Sequence, residues 1–262
     1  LSGQRQGQRA LGITTDLHVP GADRQQQRRQ QTRPAPGHRR AQLVEHVSGR
    51  CADQRGGQPH REFAEPEQRA ARRVVLKSSR VRQPSWSRTY LAPSYSTASG
   101  GEAYALQVLA EILGSNATSR LYRSLVIDQG VATSASAWYS ADGLDSGEFG
   151  ISGSPRTGIK IDVVEKALSA QIKRLLSDGV NANEVTRAKL SLKTDAIYVR
   201  DSLRAGPNIF GRALTAGRTI KDVENWPERI GAVSSADVDA AAKAVFRDNR
   251  SVTSILLPDP TY

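Results

Sequence analysis

Residues 101–139 read GEAYALQVLAEILGSNATSRLYRSLVIDQGVATSASAWY, and this stretch decides the fold. Ala105, Leu106, Leu109, Ile112 and Leu113 recur at three or four residues, which predicts a helix over Glu102 to Leu113. Gly114 reads as its C-cap. A polar link, Ser115 to Thr118, follows. Thr118 or Ser119 then offers a side-chain oxygen as N-cap for a second helix, Arg120 to Asp128, with Leu121 and Leu125 facing inward. Gly130 ends that helix, and Val131 to Ser140 reads as a strand.

Upstream, the β-branched run opening Arg73 to Val81 predicts a strand. Ser85 to Pro93 sets Trp86, Arg88 and Tyr90 against Ser87 and Thr89, an alternation that suits a half-buried strand. Downstream, Ala141 to Asp145 is a hairpin loop into a strand over Gly147 to Ser154. Ile159 to Leu176 is an amphipathic helix through Ile161, Val164, Leu168, Ile172 and Leu175, stopped by Asp178-Gly179. The next helix opens at Asn183-Glu184 and runs to Arg200 through Val185, Ala188, Leu192 and Ile197. Ser202 to Ala216 is helical with an interruption at Gly206-Pro207, and Thr219 to Ile230 is a short helix. Ser234 to Asp237 caps a helix over Val238 to Phe246, and Ser251 to Leu257 is a last strand. Two strands, two helices, two strands, a helical run and one strand make an α+β unit: a mostly antiparallel sheet with helices packed on one side.

The other end of the chain is different. Residues 1–62 hold 11 Arg, 11 Gln, no Lys and no aromatic residue, and supply +6 of the net +11. No apolar period runs through QQQRRQQTRPAPGHRR, so little there offsets chain entropy. The domain reading is a basic leader over 1–64, disordered or out of frame, and a folded domain over 65–262. A frameshifted reading of GC-rich DNA accounts for the bias, and a chain that begins at Leu1 without any Met fits a truncated or shifted frame. A basic arm that binds nucleic acid is the alternative, disfavoured because neither Lys nor stacking aromatics accompany the arginines.

Composition excludes several classes. One cysteine, Cys51, makes no disulfide framework. No run of about 18 apolar residues exists to span a membrane. All four histidines (His18, His38, His46, His60) lie in the leader, with no C-x-x-C, H-E-x-x-H or H-x-x-E-H spacing, and Glu45-His46 is an isolated pair. Asp142, Asp145 and Glu148 lack a calcium-loop pattern and read as a solvated hairpin. The reading therefore assigns no catalytic residue and no metal ligand to this chain.

Three separated blocks carry a family resemblance: residues 101–139, DGVNANEVTRAKLSLKTDAIY, and SSADVDAAAKAVFRDNRSVTSILLPDP. In order and content they resemble the insulinase/pitrilysin-like zinc peptidases. There, a catalytic unit is built from two similar α+β domains, the first of which holds zinc through H-x-x-E-H and a distal Glu. With no His after Glu65, this chain resembles the second, non-zinc domain, one half of a two-domain unit. The resemblance implies zinc in an N-terminal domain of the same unit, a peptide substrate, and a chamber that this half helps to shape. It implies no nucleic acid and no membrane span. It leaves the compartment open, with periplasmic or secreted relatives in bacteria.

Many members place an Arg and a Tyr, seven residues apart, at the helix-to-strand junction. Here those positions hold Val126 and Thr133, so the pair is missing. Valine donates no hydrogen bond and threonine lacks the reach of a phenol. That departure implies the tail half of a zinc-bearing subunit, inactive alone, whose partner subunit supplies the pair. Arg120 and Tyr122 stand nearby but two residues apart, and read as structural: Arg120 tying the helix start to neighbouring backbone, Tyr122 packing. A non-catalytic peptidase-like subunit that binds peptide or a catalytic partner is the competing function. An upstream coding region with or without H-x-x-E-H separates the two.

Overall fold

Ser85–Pro93 (β2) is the strand around which the sheet forms, since its alternation gives one large apolar face. The computed structural model describes residues 68–199 and 201–259, within the unit Ala64–Tyr262; the leader and its histidines and cysteine lie outside the described residues. The remaining strands are β1 (Arg72–Ser78), β3 (Ala132–Ser140), β4 (Ser146–Pro155) and β5 (Ser251–Pro258). The helices are α1 (Glu102–Gly114), α2 (Arg120–Tyr122, continuing as a π-helical turn Arg123–Asp128), α3 (Ile161–Asp178), α4 (Ala182–Val199), α5 (Ala205–Thr215), α6 (Ile220–Glu224), α7 (Trp226–Ala232) and α8 (Ser235–Val245).

The strand order is β1-β5-β2-β4-β3. β2 runs antiparallel to β4 and β5, and β3 antiparallel to β4, while β1 is parallel to β5. The sheet is thus mixed, with one parallel pairing at its edge. β1 and β2 are consecutive, yet β5, from the end of the chain, is inserted between them. On one face Trp86, Tyr90, Phe149, Ile151, Ala135, Ala137 and Ile255 are buried beneath the helices. On the other, Ser254, Ser87, Ser152 and Ser136 stand in register across four strands, and Trp138 lies over Gly150. Helices on one face and small polar residues on the other follow from the period of two.

α1 is mostly apolar, and 11 of its 13 residues are buried, Glu111 among them. Such a helix must be covered on every side; it lies between the sheet and the outer helices α4 and α8. Gly114 corrects the sequence expectation. It remains helical, the cap is Ser115 at φ −82°, and a Cβ on Gly114 would sit 1.8 Å from the Ala137 backbone nitrogen. The glycine is needed for close approach of helix to strand rather than for a left-handed turn.

α3 buries Val164, Leu168, Ile172 and Leu175 as its period requires, and Gly179 at φ +71° closes it with its N–H on the Leu175 carbonyl. In α4, Val185 and Ala188 are buried, but Ile197 is 63% exposed, because the last turns extend beyond the core. The break expected at Gly206-Pro207 falls earlier: α5 begins at Ala205, where a proline in the first turn loses no helical hydrogen bond. The helix expected over Thr219 to Ile230 is two, split at Asn225. Ser234 caps α8 as expected, with Asp237 returning the bond to complete a capping box.

Candidate functional site

The junction between α2 and β3 holds both positions singled out by the resemblance. Leu125, Val126 and Ile127 are consecutive apolar residues that an α-helix cannot bury on one side. The backbone widens here into the π-helical turn, with the Gln129 N–H bonding the Ser124 carbonyl five residues back. Leu125 is fully buried, Val126 is half-buried against the core, and Ile127 is 61% exposed. Thr133 sits at a bulge where the β3–β4 register shifts between Ala132 and Ser134. It is exposed; its hydroxyl accepts from Gln83 Nε2 at 2.9 Å and donates to the Ser154 carbonyl at 3.3 Å. Val126 has no donor to offer, and the Thr133 proton is directed to its own sheet. The apolar triplet was the available signal for the π turn; the bulge had none.

Arg120 is held more firmly than expected. Its Nε and Nη2 each bond a Glu184 carboxylate oxygen at 2.6 Å, and Nη2 also reaches the Gly179 carbonyl at 2.9 Å. The backbone contact is the one the sequence suggests; the carboxylate is an added partner. Asn181 caps α4 through the Glu184 N–H, and its own N–H bonds the same carboxylate. Burial pushes the Glu184 carboxyl up, but the Arg120 and Asn181 hydrogen bonds outweigh it and hold it below the usual range. Tyr122 is half-buried. A second carboxylate, Glu165 on α3, takes a two-pronged contact from Arg73 of β1 (2.7 and 2.9 Å) and a longer one from Arg88 (3.4 Å). The Arg73 hydrogen bonds hold its carboxyl below the usual range.

Asp142, Asp145 and Glu148 do not converge. Asp142 faces Arg218 at 3.7 Å, Asp145 accepts bonds from Ser94 and Thr97 through its backbone, and Glu148 points outward from β4. Among the described residues there is no histidine, and no three His, Cys, Asp or Glu side chains come together, so they do not fit a zinc ion. No helix among them is long and apolar enough to cross a membrane.

At the other end of β3 a cavity of about 740 Å³ opens among α4, α5, α6 and α7, bounded by Tyr95, Tyr139 and Arg218. Its back wall is a fixed network: Gln107 accepts from the Trp226 indole N–H at 2.8 Å and donates to the Tyr95 hydroxyl. Burial raises both the Tyr95 and Tyr139 phenols well above their usual range, so both are neutral donors or acceptors near neutral pH.

Residues 39–192 match the family model described as the peptidase M16 inactive domain, a match that begins inside the stretch read as leader. Comparison with curated proteins gives no match. Among solved structures, a protease from Helicobacter pylori superposes with a TM-score of 0.68 at 22% identity, over 76% of this chain and 47% of that one. The inactive peptidase domain from Bordetella parapertussis gives 0.61 at 19%, over 70% and 95%. The peptidase M16 inactive domain from Pseudomonas fluorescens gives 0.59 at 16%, over 82% and 51%. The chain thus spans about half the length of the Helicobacter and Pseudomonas chains, and at these identities the likeness is one of fold. With the family model covering more than half of the sequence, the chain belongs to the peptidase M16 family as its inactive, C-terminal type of domain.

Proposed function

We propose that this domain is the non-catalytic half of a zinc endopeptidase unit, forming one wall of a chamber that holds extended peptide. Zinc and the attacking water would reside in an N-terminal domain of the same unit, and a second peptidase-like subunit would complete the site. What supports this reading is the junction, where the resemblance sets Val126 and Thr133 at the positions of the Arg and Tyr that grip substrate carbonyls: Val126 packs on the core and the Thr133 hydroxyl bonds its own sheet. The face of the sheet that no helix among the described residues covers, with its in-register serines, suits contact with peptide backbone.

The test is to join the chain to an N-terminal domain bearing H-x-x-E-H and follow cleavage of an internally quenched peptide. Weak activity is expected until the partner subunit is added. One hydrogen bond to a developing oxyanion contributes ~3–4 kcal/mol, a factor of about 10²–10³ in rate. Substituting Val126→Arg and Thr133→Tyr should recover part of this without the partner. Thr133 is exposed and leaves room for a ring, whereas Val126 packs on the core, so the fold of the double variant is checked by circular dichroism. Full activity of the unsubstituted fusion alone would refute the need for a partner. A well-folded double variant that still depends wholly on the partner would show that these two positions do not face the substrate.

A further inference from the structure

The cavity of about 740 Å³ lies apart from the α2–β3 junction. Thr133 and Ser140 bracket β3, and seven residues of strand separate them by about 23 Å at ~3.3 Å per residue. The body of the cavity is apolar: Val199, Ile209, Phe210, Val223 and Trp226 line it. A volume in the range of ~300–1,000 Å³ with mostly apolar walls and a few placed polar groups is what ligand sites have.

Arg218 is the polar group that matters. Its side chain is only 11% exposed, and its guanidinium lies 3.7 Å from the centre of the Tyr95 ring. Its polar contacts are long: 3.7 Å to Asp142, which is itself 46% exposed, and 3.4 Å to the Asp222 carbonyl. Charge-assisted bonds close at about 2.7–2.9 Å. A guanidinium has five N–H donors, and burying it without close acceptors is costly. The Tyr95 hydroxyl, which accepts from Gln107, has no acceptor for its own proton among the described residues. Arg212, Asp142 and Glu224 also line the cavity, so its charges balance and net attraction does not decide the ligand. What decides it is a fork-shaped cation held by stacking beside an apolar chamber. Asp142, nearly half exposed, can turn to solvent when another carboxylate arrives.

We propose that this cavity binds the free C-terminus of a peptide ending in a bulky apolar residue. The last side chain fills the space beside Phe210 and Trp226, and the α-carboxylate pairs with Arg218. The choice of a peptide rests on the chamber reading above. Hydrolysis of a peptide bond by water yields a carboxylate and an amine, so each cleavage creates the group this site recognises.

The test titrates the full chain with an N-terminally fluorescein-labelled peptide, Gly-Ser-Gly-Ala-Leu-Phe, by fluorescence anisotropy. The free acid should bind, and the same peptide with a C-terminal amide should bind at least about tenfold more weakly, since the amide lacks the charge that Arg218 pairs. Arg218→Gln should bring the acid down to the level of the amide and leave the amide unchanged. Ala205→Phe, which adds bulk to the cavity lining from α5, should weaken both. Equal binding of acid and amide by the unsubstituted chain would overturn the proposal, whatever the variants do. Binding of decanoate without binding of the peptide would reassign the site to a fatty acid and likewise overturn it. No zinc domain is present, so failure here leaves the chamber reading to its own cleavage assay.

Discussion

Gly114 and Gly211 are both helical glycines, and the same substitution should move them in opposite directions. At Gly114 an added Cβ would lie 1.8 Å from Ala137 N, 2.5 Å from Ser136 C and 2.8 Å from Ala137 Cα, all backbone atoms that cannot swing aside. Contact distance is about 3.5 Å, so α1 and β3 would have to part by roughly 1.5 Å. The far side of α1 offers no room, because Leu106, Leu109 and Leu113 are fully buried. Radial gaps of about 0.5–1 Å already forfeit a quarter to a half of each contact. Gly114→Ala gains about 1 kcal/mol of helix propensity, but overpacking of this kind costs more, for a net loss of about 3 kcal/mol. For a unit of about 200 residues that lowers Tm by roughly 6–12 °C. At Gly211, in α5, nothing lies within 4 Å of the added atom and the residue is exposed. Gly211→Ala should therefore raise Tm by about 1–4 °C. Thermal unfolding followed by far-UV circular dichroism reads both. A Gly114→Ala protein that melts within a degree of the parent would refute the close-packing argument.

The Arg120–Glu184 bridge should behave as a partly buried pair: Arg120→Ala should cost about 2–3 kcal/mol in urea unfolding, below the range for full burial because the side chains are 23% and 14% exposed. Arg120→Ala combined with Glu184→Gln should be less destabilised than Arg120→Ala alone, since the unpaired carboxylate is then removed. Glu165 and Glu184 are both held below the usual carboxylate range, so their stabilisation is complete above the ordinary glutamate pKa and is lost as pH falls through their folded values. Urea midpoints measured from pH 7 to pH 3 should fall on the acid side, less steeply in Glu184→Gln, and an unchanged slope would argue against the bridge as the cause.

Much of the fold is written locally. α3 is legible because one side of a helix repeats every three or four residues; of the five residues its period names, Val164, Leu168, Ile172 and Leu175 are buried and Ile161, in the first turn, partly so. Ser234 and Asp237 announce the start of α8 because a capping box closes within four residues. The 85–93 strand shows its core side by simple alternation, with Arg88 accommodated there because Thr253 and Glu165 receive it. The α2–β3 junction is legible for the same reason, since its helical turn and its strand follow each other within one short stretch.

Tertiary structure decided what depends on distant segments. No local pattern says that β5 enters between β1 and β2, because the pairing joins residues about 180 apart. Arg120 meets a carboxylate 64 residues further on, which spacing along the chain cannot announce. Gly114 looks like an end-of-helix glycine until Ala137 arrives against it. The cavity around Arg218 draws its walls from Tyr95 to Pro227, and only packing brings a buried cation, two tyrosines and the α5 side chains to one place. The sequence by itself determined most of the elements and their faces, because each is settled within a few residues. Strand order, close approaches and the cavity beside Arg218 were settled by the three-dimensional packing, because their partners are neighbours only in space.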